Sequence, residues 1–176
     1  MPNIPSFEDA KQAIKDKIPE NIKERIPSNV DEFVEKIPYA DKVNTVAEKL
    51  PKVIGPKTHA IIDFAVAGSF LAMGAMWLGS HKRAAIGSFI CGGAALTNSL
   101  LTDYPGGVAD VISFETHGKI DVGLAAATAL MPRLLGFRDE GPAWFFRAQS
   151  GAETVVVGLT DFSSGSREEE DVEAAA

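Results

Sequence analysis

With 176 residues, 17 basic and 24 acidic side chains, the chain is long enough for one domain, and its net charge of −7 excludes the basic surface that nucleic acid would need. One cysteine, Cys91, excludes an internal disulfide and a thiolate zinc cage. The near-neutral average hydropathy hides a segregation: residues 1–57 are charge-dense, 60–101 are almost charge-free, and 163–176 read as a disordered acidic tail.

The chain opens with MPNIPSFEDAKQ, which lacks the basic and then apolar pattern of a cleavable signal peptide. Residues 1–57 are punctuated by Ile4-Pro5, Ile18-Pro19, Ile26-Pro27, Ile37-Pro38 and Leu50-Pro51. Proline removes a donor and disfavours helix in the residue before it, so each pair is expected to end a short helix. SNVDEFVEKI sets Val30, Phe33, Val34 and Ile37 on one face, with Ser28 or Asn29 as cap, and the next segment does the same with Tyr39, Val43, Val46 and Leu50. Helices this short do not hold in water alone, so the stripes must lie on the protein's own body, a membrane surface or a partner. The balanced charge of the region favours docking on a partner protein over attraction to anionic lipid.

AIIDFAVAGSFLAMGAMWLG, residues 60–79, carries Asp63 as its one charge, and about 20 helical residues cross the roughly 30 Å of a bilayer core. A polar turn at Ser80–Arg83 leads to the uncharged AAIGSFICGGAALTNSLL, residues 84–101, which must return antiparallel. Weaker apolar segments follow at about 120–137 and 143–160, interrupted by Pro132, Arg133, Arg147 and Glu153. At a fixed offset of 58 the chain repeats itself: Thr58/Thr116, His59/His117, Ile62/Ile120 and Asp63/Asp121, then Leu101/Leu159, Thr102/Thr160, Asp103/Asp161 and Tyr104/Phe162. The expected fold is therefore all-α, an integral membrane four-helix bundle made of a duplicated helical hairpin. Its parts are the amphipathic region 1–57, hairpins 58–104 and 116–162, and a connecting loop 105–115. Small residues such as Gly87, Cys91, Gly92 and Gly93 suit close helix contact in lipid.

In such a hairpin the start of one helix and the end of the next share a membrane face. This brings His59, Asp63, Asp103, His117, Asp121 and Asp161 to one level, with His and Asp at i, i+4 able to touch. Two histidines and four carboxylates can make a metal site, a proton relay or a polar staple. The staple is the leading reading, with Thr58 and Thr116 as N-caps and Asp103 and Asp161 opening turns, as in DYPGG. Lys82, Arg83, Arg133, Arg138 and Arg147 gather at the opposite face, placed to snorkel to lipid head groups. Glu153 falls midway along the fourth helix and requires a partner such as Asn98 or an adjacent subunit's donor.

LTDYPGG, THGKIDVGLAAATALMPRLLGF, the arginine-bearing turn and GLTDF together resemble the small bacterial multi-pass membrane proteins of the SPW-repeat type. Met131, Pro132, Arg133, Leu134, Leu135, Gly136 and Phe137 stand where that group carries its Pro-Trp signature, with Arg in place of tryptophan; in the first half Trp77 is kept and the proline is missing. The resemblance covers about residues 58–162 and implies a multi-pass membrane protein with no established activity.

No nucleophile motif or phosphate loop is present, so a non-enzymatic protein without a cofactor is expected. The leading expectation is an accessory or scaffolding subunit of a larger membrane complex, respiratory or photosynthetic for example, in a bacterial inner membrane with cytoplasmic termini. Its partners are then lipid and other membrane subunits. A metal-, haem- or pigment-binding protein using the His/Asp clusters is the alternative, and a small transporter the third.

Overall fold

Ile18-Pro19, Ile37-Pro38 and Leu50-Pro51 each follow the end of a short helix, whereas Pro132 lies inside a long one. The structure, a computed structural model, describes residues 6–19 and 27–164, so Ile4-Pro5, Ile26 and the acidic tail lie outside the described residues. Among the described residues it is all-helical, with seven helices and no strand: α1 (Phe7–Lys15), α2 (Pro27–Glu35), α3 (Ala40–Ala47), α4 (Pro56–Trp77), α5 (Lys82–Leu101), α6 (Phe114–Leu134) and α7 (Ala143–Leu159). α4 and α5 are both long and apolar enough to cross a membrane.

The four long helices pack side by side. α4 lies along α5, α5 along α6 and α6 along α7. α7 returns to α4 through Phe145 and Phe146 against Phe70, and through Gln149 Nε2, which donates to Ser69 Oγ at 2.6 Å. The caps differ from those expected. Gly55 caps α4 with Pro56 in the first turn, where its missing N–H is no loss. At α6, Ser113 is the cap, its Oγ accepting from Thr116 N at 3.2 Å. Thr58 and Thr116 sit inside the first turn instead, and α2 begins at Pro27, which puts Ser28 and Asn29 within it.

The amphipathic helices find their acceptor within the chain. Val34 of α2 and Val43 and Ala47 of α3 are buried with Val122, Ala125, Ala126 and Val157 of α6 and α7, and Val30 and Ile37 pack on the same cluster. Gly158 lets α3 approach, since a β-carbon there would lie 2.9 Å from Ala47 Cα. The anchors expected to dock a partner therefore serve largely to cover the second hairpin, because the nearest apolar groove of matching length is the chain's own. Leu50 is half-buried, and Phe33, Tyr39 and Val46 face outward. α1 is tied down separately: Lys11 Nζ lies 3.3 Å from Asp110 Oδ1, Lys15 pairs with the other oxygen, and Ile18 packs on Ala109, Val111 and Ile112.

Two short backbone clips join these parts. Val53 N and Ile54 N donate to Leu159 O at 2.7 and 2.9 Å, and Asp161 N donates to Ile54 O at 2.9 Å. Val111 N and Ile112 N donate to Leu101 O at 2.8 and 3.0 Å, and Asp103 N donates to Ile112 O at 2.8 Å. Every residue of one clip has its counterpart 58 positions away in the other.

Candidate metal centre

His59 and Asp63 are one turn apart on α4, and His117 and Asp121 are one turn apart on α6, so each pair shares a helix face. The packing turns these faces toward each other. His59 Nε2 lies 3.1 Å from His117 Nε2, 3.1 Å from Asp121 Oδ2 and 3.3 Å from Asp63 Oδ1. His117 Nε2 lies 3.0 Å from Asp63 Oδ2 and 2.9 Å from Asp121 Oδ2. Both imidazoles are fully buried, and the two carboxylates are 13 and 15 % exposed.

The far side of each ring indicates which nitrogen carries the proton when the ring is neutral. Thr102 Oγ1 donates its single hydrogen to Asn98 O at 2.7 Å, so it accepts from His117 Nδ1 at 2.7 Å. Thr160 Oγ1 donates to Val156 O at 2.7 Å, so it accepts from His59 Nδ1 at 2.8 Å. Both neutral rings are therefore Nδ1–H tautomers, and both Nε2 lone pairs point into the space shared with two carboxylates. Four acceptors converge with no donor between them. Such a group repels itself unless a cation lies at its centre, either protons taken up by the rings or a metal ion.

The spacing suits a metal. Bonds of about 2.0–2.1 Å to a tetrahedral ion place neighbouring ligand atoms about 3.3 Å apart; the ring–carboxylate contacts run from 2.9 to 3.3 Å with Asp63 offering one oxygen to each ring, and one ligand atom from each residue lies within 4.8 Å of the others. A dication with two carboxylates is also neutral overall, as a site between apolar helices requires.

A second layer holds the carboxylates. Tyr104 Oη donates to Asp63 Oδ2 at 2.9 Å, and Asn98 Nδ2 donates to Asp121 Oδ1 at 2.9 Å. Burial, and then the charge of Asp63, push the Tyr104 phenol well above the ordinary phenol range, so it stays a donor. Phe114 and Phe162 pack edge-on to His59 with ring centroids 5.4 and 5.2 Å away, closing the site from outside.

Of the six candidate ligands, the structure brings four together. Asp103 and Asp161 stay at the helix ends: Asp103 is exposed, and Asp161 Oδ1 accepts from Ser163 N and Oγ at 3.1 and 2.6 Å. Of the two partners expected for Glu153, Asn98 or an adjacent subunit's donor, Asn98 is turned to Asp121 instead. The basic residues of the far end do gather, with Arg83 donating to Gly136 O at 3.0 Å and Arg147 to Arg138 O at 2.8 Å, while Lys82 and Arg133 are exposed. Thr102, Thr160 and Tyr104 were not read as part of the site, although all three positions belong to the second conserved cluster of the internal repeat. Compared with family models, with curated proteins and with solved structures, the chain matches none.

Proposed function

We propose that this is a membrane-embedded metal-binding protein, in which a duplicated helical hairpin forms a four-helix bundle around one first-row divalent transition ion. The observation that carries the reading is the convergence of two Nε2 atoms and two carboxylates, with the Nδ1 of each ring bonded to a buried threonine. Histidine and carboxylate ligands with threonine behind them suit zinc and its neighbours in the first row. The clips, the caps at Gly55 and Ser113, and the reciprocal His–Thr bonds all recur at the offset of 58, which supports duplication.

Membrane insertion is supported by what α4 leaves uncovered. A soluble core helix this apolar would be mostly buried, yet 22 % of its most apolar stretch is, and 44 % of that of α5. Ile61, Met76, Ile86 and Ile90 point outward and are more than half exposed, as side chains facing lipid would be. The exposed Phe33, Tyr39 and Val46 are what the N-terminal helices retain for a partner subunit.

The full chain, purified in mild detergent and dialysed against metal-free buffer, is expected to carry one divalent ion by elemental analysis. His59→Ala and His117→Ala are each expected to empty the site. Protein that folds in detergent and takes up no zinc, cobalt or manganese on titration refutes the reading and leaves protons as the shared charge.

A further inference from the structure

Along the middle of α4 the exposed residues are Ala65, Gly68, Ala72 and Ala75, and the line continues to Gly79 just beyond the helix. The bulkier Phe64, Val66, Leu71 and Met73 are the half-buried ones. Steps of 3, 4, 3 and 4 residues are those of a heptad seam, and they draw one stripe about 21 Å long. Phe64 to Gly79 carries no charge.

Lipid needs no such face. Acyl chains are met well by large apolar side chains, and α5 turns Ile86, Phe89 and Ile90 outward. Small residues in a row instead let two helix backbones approach in a bilayer. Within the chain glycine is used in this way: a β-carbon at Gly74, Gly92 or Gly123 would meet a neighbour at 3.0, 2.9 or 3.1 Å. At Gly68 it would meet nothing within 4 Å, so the missing side chain serves no contact of this chain. The second half supplies an independent sign. Ala65 and Gly68 have Gly123 and Ala126 of α6 as counterparts 58 positions on. There a helix lies on the face: Val34 and Ile37 of α2 pack against Gly123, and Ala126 is fully buried in the same cluster. The matching face of the first half has no helix on it among the described residues.

Resting on the membrane reading above, we propose that the outer face of α4 is a dimer interface: two copies of the chain pair stripe to stripe about a two-fold axis along the membrane normal. A surface helix placed like α2 would meet Ala65 and Gly68 alone, whereas this stripe runs on to Gly79, so its occupant crosses the membrane. Close approach of backbones requires the occupant's own face to be small and uncharged. α4 meets that requirement itself, while α5 presents its three bulky residues and α7 presents Trp144 and Arg147. The two-fold sets equal depths against each other, Gly68 near Gly68 and Ala72 near Ala72, at a crossing angle of about 20°. His59 is fully buried on the inner side, so pairing leaves the four ligands in place.

The test uses the full chain reconstituted in phosphatidylcholine vesicles, with single surface cysteines added; the native Cys91 is buried and stays in place. On oxidation Gly68→Cys and Ala72→Cys are expected to give covalent dimers, and Ile86→Cys and Ile90→Cys on the neighbouring helix are not. Copies labelled separately at the N-terminus are expected to show energy transfer. The double variant Gly68→Leu, Ala72→Leu is expected to lose that transfer while keeping the helical circular dichroism of wild type. Ala75→Ile is expected to do the same and serves if the double variant does not fold. Inserted wild type that shows no transfer, or that cross-links equally from α4 and α5, overturns the dimer and leaves the membrane reading standing. Transfer that survives in the folded leucine and isoleucine variants overturns it as well. Wild type that stays in solution without detergent and does not enter vesicles overturns both readings.

Discussion

Thr102→Val separates a metal centre from a polar staple more sharply than removal of a ligand does. The change is nearly isosteric, and the position is fully buried with its side chain turned onto His117 Nδ1 at 2.7 Å. Valine cannot accept, so the ring loses the bond that fixes its tautomer and orientation. Loss of a second-layer partner weakens metal binding by about 10- to 100-fold, equivalent to about 1.4–2.8 kcal/mol. Thr160→Val removes the matching bond to His59 and is expected to act equally. Competition with a fluorescent zinc chelator, in detergent and at fixed pH, measures both. Thr102→Ser keeps the acceptor and is expected to bind within a few-fold of wild type. Unchanged zinc affinity in both valine variants, alongside lowered melting temperatures, would refute the assignment of the threonines to a metal site.

Gly118→Ala is expected to weaken metal binding with the four ligands intact, because its β-carbon would meet the Phe162 ring at 2.7–2.8 Å and push it from its place against His59; the same chelator assay reads it. At Gly107 a β-carbon would lie 1.7 Å from Thr102 O, which is backbone and cannot yield, so Gly107→Ala is expected to abolish accumulation of folded protein, checked by size-exclusion chromatography in detergent. Tyr104→Phe copies the residue that the second half carries at Phe162 and frees Asp63 Oδ2, so a several-fold loss of zinc affinity is expected, smaller than that from a histidine change. The hydrogen bond to Asp110 raises the Lys15 pKa above its ordinary 10.5, so the stabilisation is complete below that value and is lost as pH climbs through the raised one; spin labels at Gln12 and Val108 are expected to separate only in that alkaline range.

Much of the site was legible because a sequence repeat at an offset of 58 doubles a weak signal. One His and Asp at i, i+4 is common, but the same pair at the same offset as Leu-Thr-Asp marks a structural unit. The repeat did not disclose which partner each side chain takes. Thr102 lies in the first half and holds the histidine of the second, and Thr160 does the reverse, a crossing that depends on how the hairpins meet. Asn98 has Val156 as its counterpart, so no symmetry argument directs it to Asp121. The stripes of α2 and α3 were readable as stripes. An apolar face, however, encodes its own width and spacing and not the groove that receives it, which here is α6 and α7. The caps were misplaced because Thr58 and Thr116 satisfy the same preferences as residues three positions earlier, and Pro56 and Ser113 decide the matter locally.

The two backbone clips give the core a ring order. The segment leading into α4 is held by the residues that leave α7, just as the segment leading into α6 is held by those that leave α5. Residues 53 and 161 are therefore neighbours, and the connection at 105–110 is topologically equivalent to a join between them. A chain opened within that connection and tied from 162 to 53 by a short linker traces the same path and arrives at the same four ligands. One hairpin alone, paired with a second copy of itself, meets the same geometry with the two His/Asp pairs facing each other across the two-fold axis. On the proposed duplication the halves are equivalent hairpins that differ at the site, the first carrying Tyr104 and Asn98 where the second carries Phe162 and Val156.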